Sequence, residues 1–579
     1  MIVDIYTTLS DVSVPHVLCH VNTRLCPGRG LYKLTITHNQ IKAICSDKES
    51  VFSAIATIYQ LLKLYREEDQ ISIPILLVDD WPDLYYRGVL LDLSQGRLPV
   101  LDSLKHTVDT LSLLKINLIH LFYRFSVAKT QEWQLPYTKS DIMDLEEYCL
   151  ERGIQLVPVI EVAPPVQYED IDDLYNVFQD FVSCFPDAEF LSLGPRLSSF
   201  MLSNEDDVLD VTDAVKLLPV LSNHTLQLCG YPLHDLDSTL LQQLPPNIVI
   251  NEYGIKADHD FKRFCRPLCD QGISFCICPG TAAWNSIAGC PEAAINNIYH
   301  AVKGGVSQGA IGVICCNWSG KGHLTHQPFS WTGYLVSAGL GWNSNCRPDY
   351  LFGNVGILLN EHVFQDKSVV GHAIVIDGTK MLTWNFFGEK GNEANAHSIP
   401  DEHGSTLFQF FGNPDSVNLS FYGTNCMQRT SKHIKRCQQE LEKTEMKCKQ
   451  SNQIVSELHL SCDLMLYALR YVWIKFAINV SEEVHVQCVR ICRSLMLSGK
   501  NPSGLAGFST INLGIANLPA TVKTDLANRL LEMLEQYKLV WCERYVQVTG
   551  IQDSLHIFTS LLKHLLPNQE TEELIHPQH

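Results

Sequence analysis

The sequence predicts a (β/α)₈ barrel with a small α/β domain before it and a mostly helical region after it. Short apolar runs recur along the middle of the chain, as expected of parallel strands that are buried on both faces. Amphipathic segments with helical spacing separate them, which is typical of this barrel. We therefore divide the chain into residues 1–85, 86–345 and 346–579.

Eight apolar runs are predicted to be the barrel strands, with helices between them. The predicted strands are Arg87–Leu93, Ile116–Phe122, Ile154–Ile160, Ala188–Gly194, Leu226–Gly230, Ile248–Tyr253, Ile273–Cys278 and Ile311–Asn317. The predicted helices include Ser103–Lys115, Ser140–Arg152, Pro291–Gly304 and Phe329–Leu340. We expect Ser140 to be the N-cap of its helix. A doubly wound open sheet is the alternative that the same alternation allows.

The regions flanking the barrel have patterns of their own. Residues 31–85 are predicted to form strand, strand, helix and strand, and the helix carries an apolar stripe of Ile55, Ile58, Leu61 and Leu62. Residues 392–404 are polar and predict a linker. From about Ser431 the pattern is mostly helical, with two apolar stripes that favour packing within the chain over a dimer surface. The stripes are Ile434, Cys437, Leu441, Ile454 and Leu458, and Leu530, Met533, Leu534 and Val540.

Composition narrows the classes of function. The formal net charge of −19 argues against sequence-independent binding to nucleic acid or to anionic membranes. No apolar run approaches the roughly 20 residues of a membrane span, and the N-terminus lacks a signal-peptide pattern, so we expect a cytoplasmic protein. The 21 cysteines include Cys265 and Cys269, but without paired C-x₂-C spacing we expect neither a metal site nor a cofactor. The oligomeric state stays open.

Long motifs resemble glycoside hydrolase family 20, the β-N-acetylhexosaminidase group. The stretch YRGVLLDLSQGRLP at 86–99 resembles the first barrel strand of that family, and the segment before it resembles the small α/β domain that precedes the family barrel. Residues 257–343 and the C-terminal stretches LNEHVFQDKSVVG and YKLVWCERY resemble a branch best known from bacteria. The resemblance therefore covers most of the chain and implies the same fold.

The same resemblance locates a catalytic pair that this sequence has lost. Family enzymes use the acetamido oxygen of the substrate as nucleophile, an aspartate that orients it and a glutamic acid that protonates the leaving group, directly after strand four. In register, those two positions are Arg196 and Leu197. An arginine stays protonated and a leucine has no proton to donate, so we predict an inactive site.

Other acidic positions of the branch are also replaced. The end of strand two carries Arg124, the segment after strand six carries Lys256, and an acid after strand eight is missing from Trp318-Ser319-Gly320. Glu161, at the end of strand three, is the best surviving carboxylate. Glu189 falls within a strand, and Glu205–Asp207 look like the start of a helix.

Several residues of ligand-binding type remain. By resemblance, Arg87 holds sugar hydroxyls unless it pairs with Asp92 on the same strand. Trp284, Trp318 and Trp342 match aromatic positions, and Trp318 is the candidate for stacking on a sugar, although each tryptophan can equally fill the core. His120 is expected to be a hydrogen-bonded barrel residue, and His323 a loop residue without an identified partner.

Three functions follow from these residues. The first is a non-catalytic barrel that binds a carbohydrate-like ligand at its mouth; if Arg87, Arg124, Arg196 and Lys256 cluster there, they favour an anionic one. The second is an active β-N-acetylhexosaminidase in which Glu161 is the relocated acid. The third is a scaffold that works through its helical C-terminal region.

Overall fold

The structure is a computed structural model of the chain. It describes residues 17–67, 70–94, 96–125, 137–162, 179–202, 224–234, 241, 244, 247–284, 286–320, 322–367, 406–414, 424–479, 520–546 and 550–566. The predicted linker at 392–404 and the acidic run Glu205–Asp207 lie outside these residues.

A four-stranded sheet with one helix on it precedes the barrel. The strand order is β1-β3-β2-β6, with β1 parallel to β3 and the other neighbours antiparallel. The elements are β1 (Val17–Val21), β2 (Tyr32–Ile36), β3 (Ile41–Cys45), α1 (Lys48–Leu64), β4 (Arg66–Glu67), β5 (Gln70–Ile71) and β6 (Leu76–Asp80). Asp47 and Ser50 form a capping box that starts α1. Strand β1 is missing from the predicted pattern because only Cys19 in it is buried.

Eight parallel strands close into the predicted barrel in the order β10-β11-β12-β13-β14-β7-β8-β9. They are β7 (Tyr86–Asp92), β8 (Leu118–Phe125), β9 (Gln155–Val162), β10 (Phe190–Leu193), β11 (Thr225–Cys229), β12 (Ile248–Tyr253), β13 (Ser274–Cys278) and β14 (Gly312–Asn317). The closed order confirms the barrel and excludes the open sheet. Alternate side chains such as Leu90, Phe122 and Ile314 fill the interior, while Val89 and Val313 pack on the helix layer.

Helices cover the outside of the barrel. Those described are α2 (Leu101–Leu113), α3 (Lys139–Leu150), α4 (Pro195–Leu202), α5 (Phe261–Asp270), α6 (Pro291–Ser307), α7 (Trp331–Trp342) and α8 (Pro348–Leu359). The predicted N-cap of α3 is wrong. Thr138 caps this helix through a capping box with Asp141, and Ser140 lies inside the first turn.

The C-terminal region is helical, as predicted. Its helices are α9 (Thr406–Gly412), α10 (Thr424–Leu441), α11 (Ser451–Asn479), α12 (Ala520–Arg544) and α13 (Gly550–Leu565). Both predicted stripes are buried and belong to the same apolar cluster as the helix layer of the barrel. Within the described part of the chain, every helix is too short or too polar to span a bilayer.

Candidate functional site

Helix α4 directly follows strand β10, where the resemblance to family 20 predicts the catalytic pair. Strand β10 ends at Leu193, Gly194 follows, and Pro195 is the first helical residue. Proline suits this position because its ring fixes φ and the helix does not need its missing N–H. The side chain of Leu197 is 2% exposed and packs into the helix-layer core, while Arg196 is exposed. The pair Gly194-Pro195 is the sequence signal that indicates the start of this helix.

The carboxylate of Glu161 is bound to the start of that helix. Its Oε2 accepts a hydrogen bond of 2.9 Å from the backbone N–H of Arg196, and its Oε1 accepts one of 3.1 Å from the N–H of Leu197. The side chain is 2% exposed. A negative charge is favourable at a helix N-terminus, where backbone N–H groups lack partners in the helix. Both oxygens of the predicted mouth carboxylate are therefore used in holding the backbone.

The three predicted bases lie at the carboxyl ends of barrel strands. Arg124 is exposed on β8, where it stands next to Glu161 of β9 in the strand register. Because Glu161 also contacts the backbone of Arg196, the two arginines belong to the same side of the mouth. Lys256 is exposed after β12, and its carbonyl accepts a 2.6 Å hydrogen bond from Asn297. The structure thus brings Arg124 and Arg196 to one side and places Lys256 after a strand on another.

Aromatic side chains line the upper interior of the barrel. Trp318 is half-buried and meets Phe122 edge-on with ring centroids 5.3 Å apart, and Tyr253 lies 5.7 Å from it. Trp284 is 6% exposed and packs close to Gly280, where a Cβ atom would lie 2.5 Å from its ring. Trp318 therefore presents part of its surface at the mouth, whereas Trp284 mostly fills the core.

Asp92 lies at the carboxyl end of β7 and is almost completely buried. Its Oδ1 accepts from the N–H of Ser94 and its Oδ2 from the N–H of Ser319, each at 2.9 Å. Burial raises the pKa of Asp92, although these bonds and the charge of Arg124 oppose the rise. The side chain ties the first and last barrel strands together at the mouth.

Arg87 and Trp342 lie at the opposite end of the barrel. Arg87 is 3% exposed and donates to the carbonyls of Leu84, Tyr85 and Lys115 at 2.6–2.9 Å. Burial lowers its pKa to about 10. Trp342 donates to Asp80 at 2.7 Å and lies 4.9 Å from the Arg87 guanidinium. Arg87 pairs with backbone and not with Asp92, and it takes no part in the mouth.

A buried polar network crosses the barrel interior below the mouth. His120 Nε2 lies 2.9 Å from Oε1 of Gln227, which also accepts from Asn251 at 3.0 Å. Nδ1 of His120 and Oδ1 of Asn251 have no partner among the described residues. His120 is therefore the hydrogen-bonded barrel residue that the sequence predicts, and burial lowers its pKa to about 4.

Acidification is expected to destabilise the protein through His120. An unfolded histidine titrates near pH 6.5, so between pH 6.5 and 4 the unfolded chain binds the proton that the folded chain excludes. The contribution of His120 to the free energy of unfolding is complete above pH 6.5. About 3 kcal/mol of it is lost as the pH falls to 4. Urea unfolding across this range should show a shallower loss for His120→Gln, whereas His300→Gln, at an exposed histidine, should match the wild type. Equal slopes in His120→Gln and wild type would contradict the assignment.

Two sites that contain histidine are not expected from the sequence. His323 is 5% exposed and does have a partner, because its Nε2 lies 2.6 Å from Nη1 of Arg97.

Glu252, which the sequence does not single out, is buried near the end of β12. Its Oε1 lies 2.8 Å from Nε2 of His234 and 3.5 Å from Nε2 of His259. The signal for it is Gly230, where a Cβ atom would collide with the Glu252 carboxylate.

Comparisons with known proteins agree with the motifs. A β-hexosaminidase of Akkermansia muciniphila is 26% identical over 182 residues, 27% of this chain and 34% of the relative. A chitooligosaccharidolytic β-N-acetylglucosaminidase of Bombyx mori is 33% identical over 103 residues, 15% of this chain and 17% of the relative. The chain thus spans about a third or less of these curated relatives. No protein-family profile matches it.

One solved structure of the family aligns with part of the chain. The family 20 exo-β-N-acetylglucosaminidase of Vibrio harveyi, solved with N-acetylglucosamine, aligns with a TM-score of 0.43 and 14% identity, covering 60% of this chain and 68% of that one. The closed barrel, the sheet domain before it and the helical region after it match the architecture that the motifs imply. The chain therefore has a (β/α)₈ fold and resembles the β-N-acetylhexosaminidases of glycoside hydrolase family 20.

Proposed function

We propose that this protein is a hexosaminidase-like barrel that binds a carbohydrate ligand at its mouth without hydrolysing it. The main support for the proposal is that the carboxylate of Glu161 is already hydrogen-bonded to the backbone. Its two oxygens accept the N–H groups of Arg196 and Leu197, so the surviving carboxylate caps a helix at the place of the lost acid pair. Glycoside cleavage needs a proton donor within hydrogen-bond reach of the leaving oxygen. A carboxylate held in this way would have to release the helix before it could donate.

The charges at the mouth favour an anionic ligand. Arg124, Arg196 and Lys256 are exposed, and none of them forms an ion pair within the described ranges. Arginine binds carboxylate and phosphate through two parallel N–H donors, which suits a sugar acid or a sugar phosphate. The half-buried Trp318 supplies an apolar ring face of the kind on which a sugar ring packs.

The proposal is tested by two measurements on the same protein. We expect no turnover of a chromogenic N-acetyl-β-glucosaminide, and a rise in Tm with glucuronate or glucosamine 6-phosphate but not with N-acetylglucosamine. Arg196→Ala should abolish that rise because it removes one of the two arginines that share a side of the mouth. Arg266→Ala is the matched control, since Arg266 is 74% exposed on α5.

Two other outcomes would overturn it. Turnover that Glu161→Gln abolishes and Arg196→Ala preserves would show an active hydrolase with a relocated acid. Absence of both turnover and stabilisation by any of the three sugars would leave a scaffold acting through other surfaces as the better account.

A further inference from the structure

A small cavity lies beside the mouth, between the barrel and the C-terminal helices. Its volume is about 40 Å³, and its walls come from the ends of β7 and β14, the first turn of α2 and the end of α12. Among the side chains that line it are Arg97, Arg544, Tyr545, Tyr334, Ser103 and Asp92. A water-sized particle needs roughly 10–15 Å³ by this measure, so the space suits about three water molecules or one small ion.

Arg97 is a buried cation without an acidic partner. It is 7% exposed, and its Nη atoms contact Nε2 of His323 at 2.6 Å, the hydroxyl of Tyr545 at 2.5 Å and the carbonyl of Thr325 at 3.3 Å. Its Nε–H has no acceptor within the described part of the chain, where Arg97 also forms no ion pair. A buried charge normally requires a partner of opposite sign, and the guanidinium of Arg97 has no such partner among the described residues.

The neighbouring groups do not neutralise Arg97. Arg544 is bound through two of its nitrogens to Glu457, so those two charges cancel each other. Burial, together with Arg97 and His326, holds the pKa of His323 well below its usual range, so this ring is neutral. Asp92 is the acid in the cavity wall, but both of its oxygens already accept N–H groups and burial raises its pKa.

The start of helix α2 adds a second attraction for negative charge. Its N-cap is Val100, whose side chain can accept no hydrogen bond, and Ser103 and Leu104 of the first turn line the cavity. Backbone N–H groups and the helix dipole favour an anion at such a terminus. Arg97 and the helix start therefore favour the same kind of occupant.

We propose that this cavity binds one small monovalent anion of the size of chloride, with the Nε–H of Arg97 as its principal donor. The anion compensates the charge of Arg97 and links the loop after β7 to the end of α12. The anion site differs from the proposed sugar site in the residue it depends on, since its principal donor is Arg97 and not Arg196.

Thermal unfolding in sodium chloride and in sodium isethionate at equal ionic strength tests the site, because isethionate is a much bulkier anion than chloride and is not a sugar acid. We expect chloride to raise the Tm of the wild type by about 2 °C in a saturable way relative to isethionate. Isethionate also differs from chloride in its general effect on stability, so the decisive quantity is the difference between proteins. Arg97→Gln should lose the chloride-specific part, and the control Arg266→Gln should retain it.

A crystal of the wild-type protein grown with sodium bromide gives a test that does not depend on any variant. We expect an anomalous peak within about 3.5 Å of Nε of Arg97. A cavity without such a peak, or adventitious bromide on the surface only, would overturn the proposal. So would a chloride dependence that is identical in wild type and Arg97→Gln.

Discussion

Glu457→Gln is expected to lower the free energy of unfolding by about 3–5 kcal/mol. Glu457 of α11 is fully buried, and Arg544 at the end of α12 is 1% exposed. The carboxylate accepts from Nε and Nη2 of Arg544, whose Nη1 also donates to Ser103 of α2 at 3.1 Å. Glutamine keeps the shape but removes the charge, so the guanidinium would remain buried without compensation. Most of the lost stability comes from leaving the buried charge of Arg544 unpaired, and not only from losing the attraction between the two side chains.

Urea unfolding followed by fluorescence and circular dichroism measures this loss. The control is Glu535→Gln, because Glu535 is 66% exposed and pairs with Lys538 one turn along the same helix. An exposed pair of this kind contributes about 0.3–0.5 kcal/mol. Replacing both partners, as Glu457→Leu with Arg544→Met, should restore much of the stability because no unpaired charge remains. A loss below about 1 kcal/mol in Glu457→Gln would show that the pair is not buried in solution.

Gly194→Ala is expected to lower the free energy of unfolding by about 3 kcal/mol or more. A Cβ atom at Gly194 would lie 2.6 Å from Oε2 of Glu161 and 2.8 Å from its Cβ. The carboxylate must then leave the N–H groups of Arg196 and Leu197, and a buried charge and two buried donors lose their partners. Because α4 would shift with it, we also expect the ligand-dependent rise in Tm to disappear.

Gly339→Ala is the matched control for this substitution. Gly339 lies within α7, and a Cβ atom there meets nothing within 4 Å, so alanine should be neutral or slightly stabilising. The cause is isolated by repeating Gly194→Ala in the Glu161→Ala background, where the added methyl group finds space. If Gly194→Ala costs as much there as in the wild type, the collision with Glu161 is not the reason.

The barrel could be predicted because strands buried on both faces must be apolar at successive positions. Ile248–Tyr253 has the same bounds in the prediction and in the structure. A strand such as Val17–Val21, which is buried at one residue, leaves no such pattern. The sequence predicts the wrong N-cap for α3 because Thr138 and Ser140 both carry hydroxyls, and the choice between them depends on where the backbone turns.

The sequence predicts which residues lie at the barrel mouth, but it does not predict the hydrogen bonds that they form. The sequence predicts that Glu161 is a mouth carboxylate, yet its partners are backbone N–H groups, which nearly every residue has and which no sequence pattern marks. The interior network of His120, Gln227 and Asn251 joins residues of three strands, so it depends on closure of the barrel. No sequence pattern marks the buried arginine Arg97, because its neighbours come from distant parts of the chain.

The short bridge between Pro99 and Tyr545 has a consequence for synthesis of the chain. Arg97 and Tyr545 are 448 positions apart, and Val100 donates a 2.8 Å hydrogen bond to the carbonyl of Arg544. During translation the first βα unit of the barrel therefore emerges long before the residues that seal it. Contacts of such separation form late, so the nascent barrel stays open on this side until α12 has left the ribosome. A premature stop before Ala520 would thus release a barrel that lacks part of its wall, and chaperones would bind an incompletely folded domain.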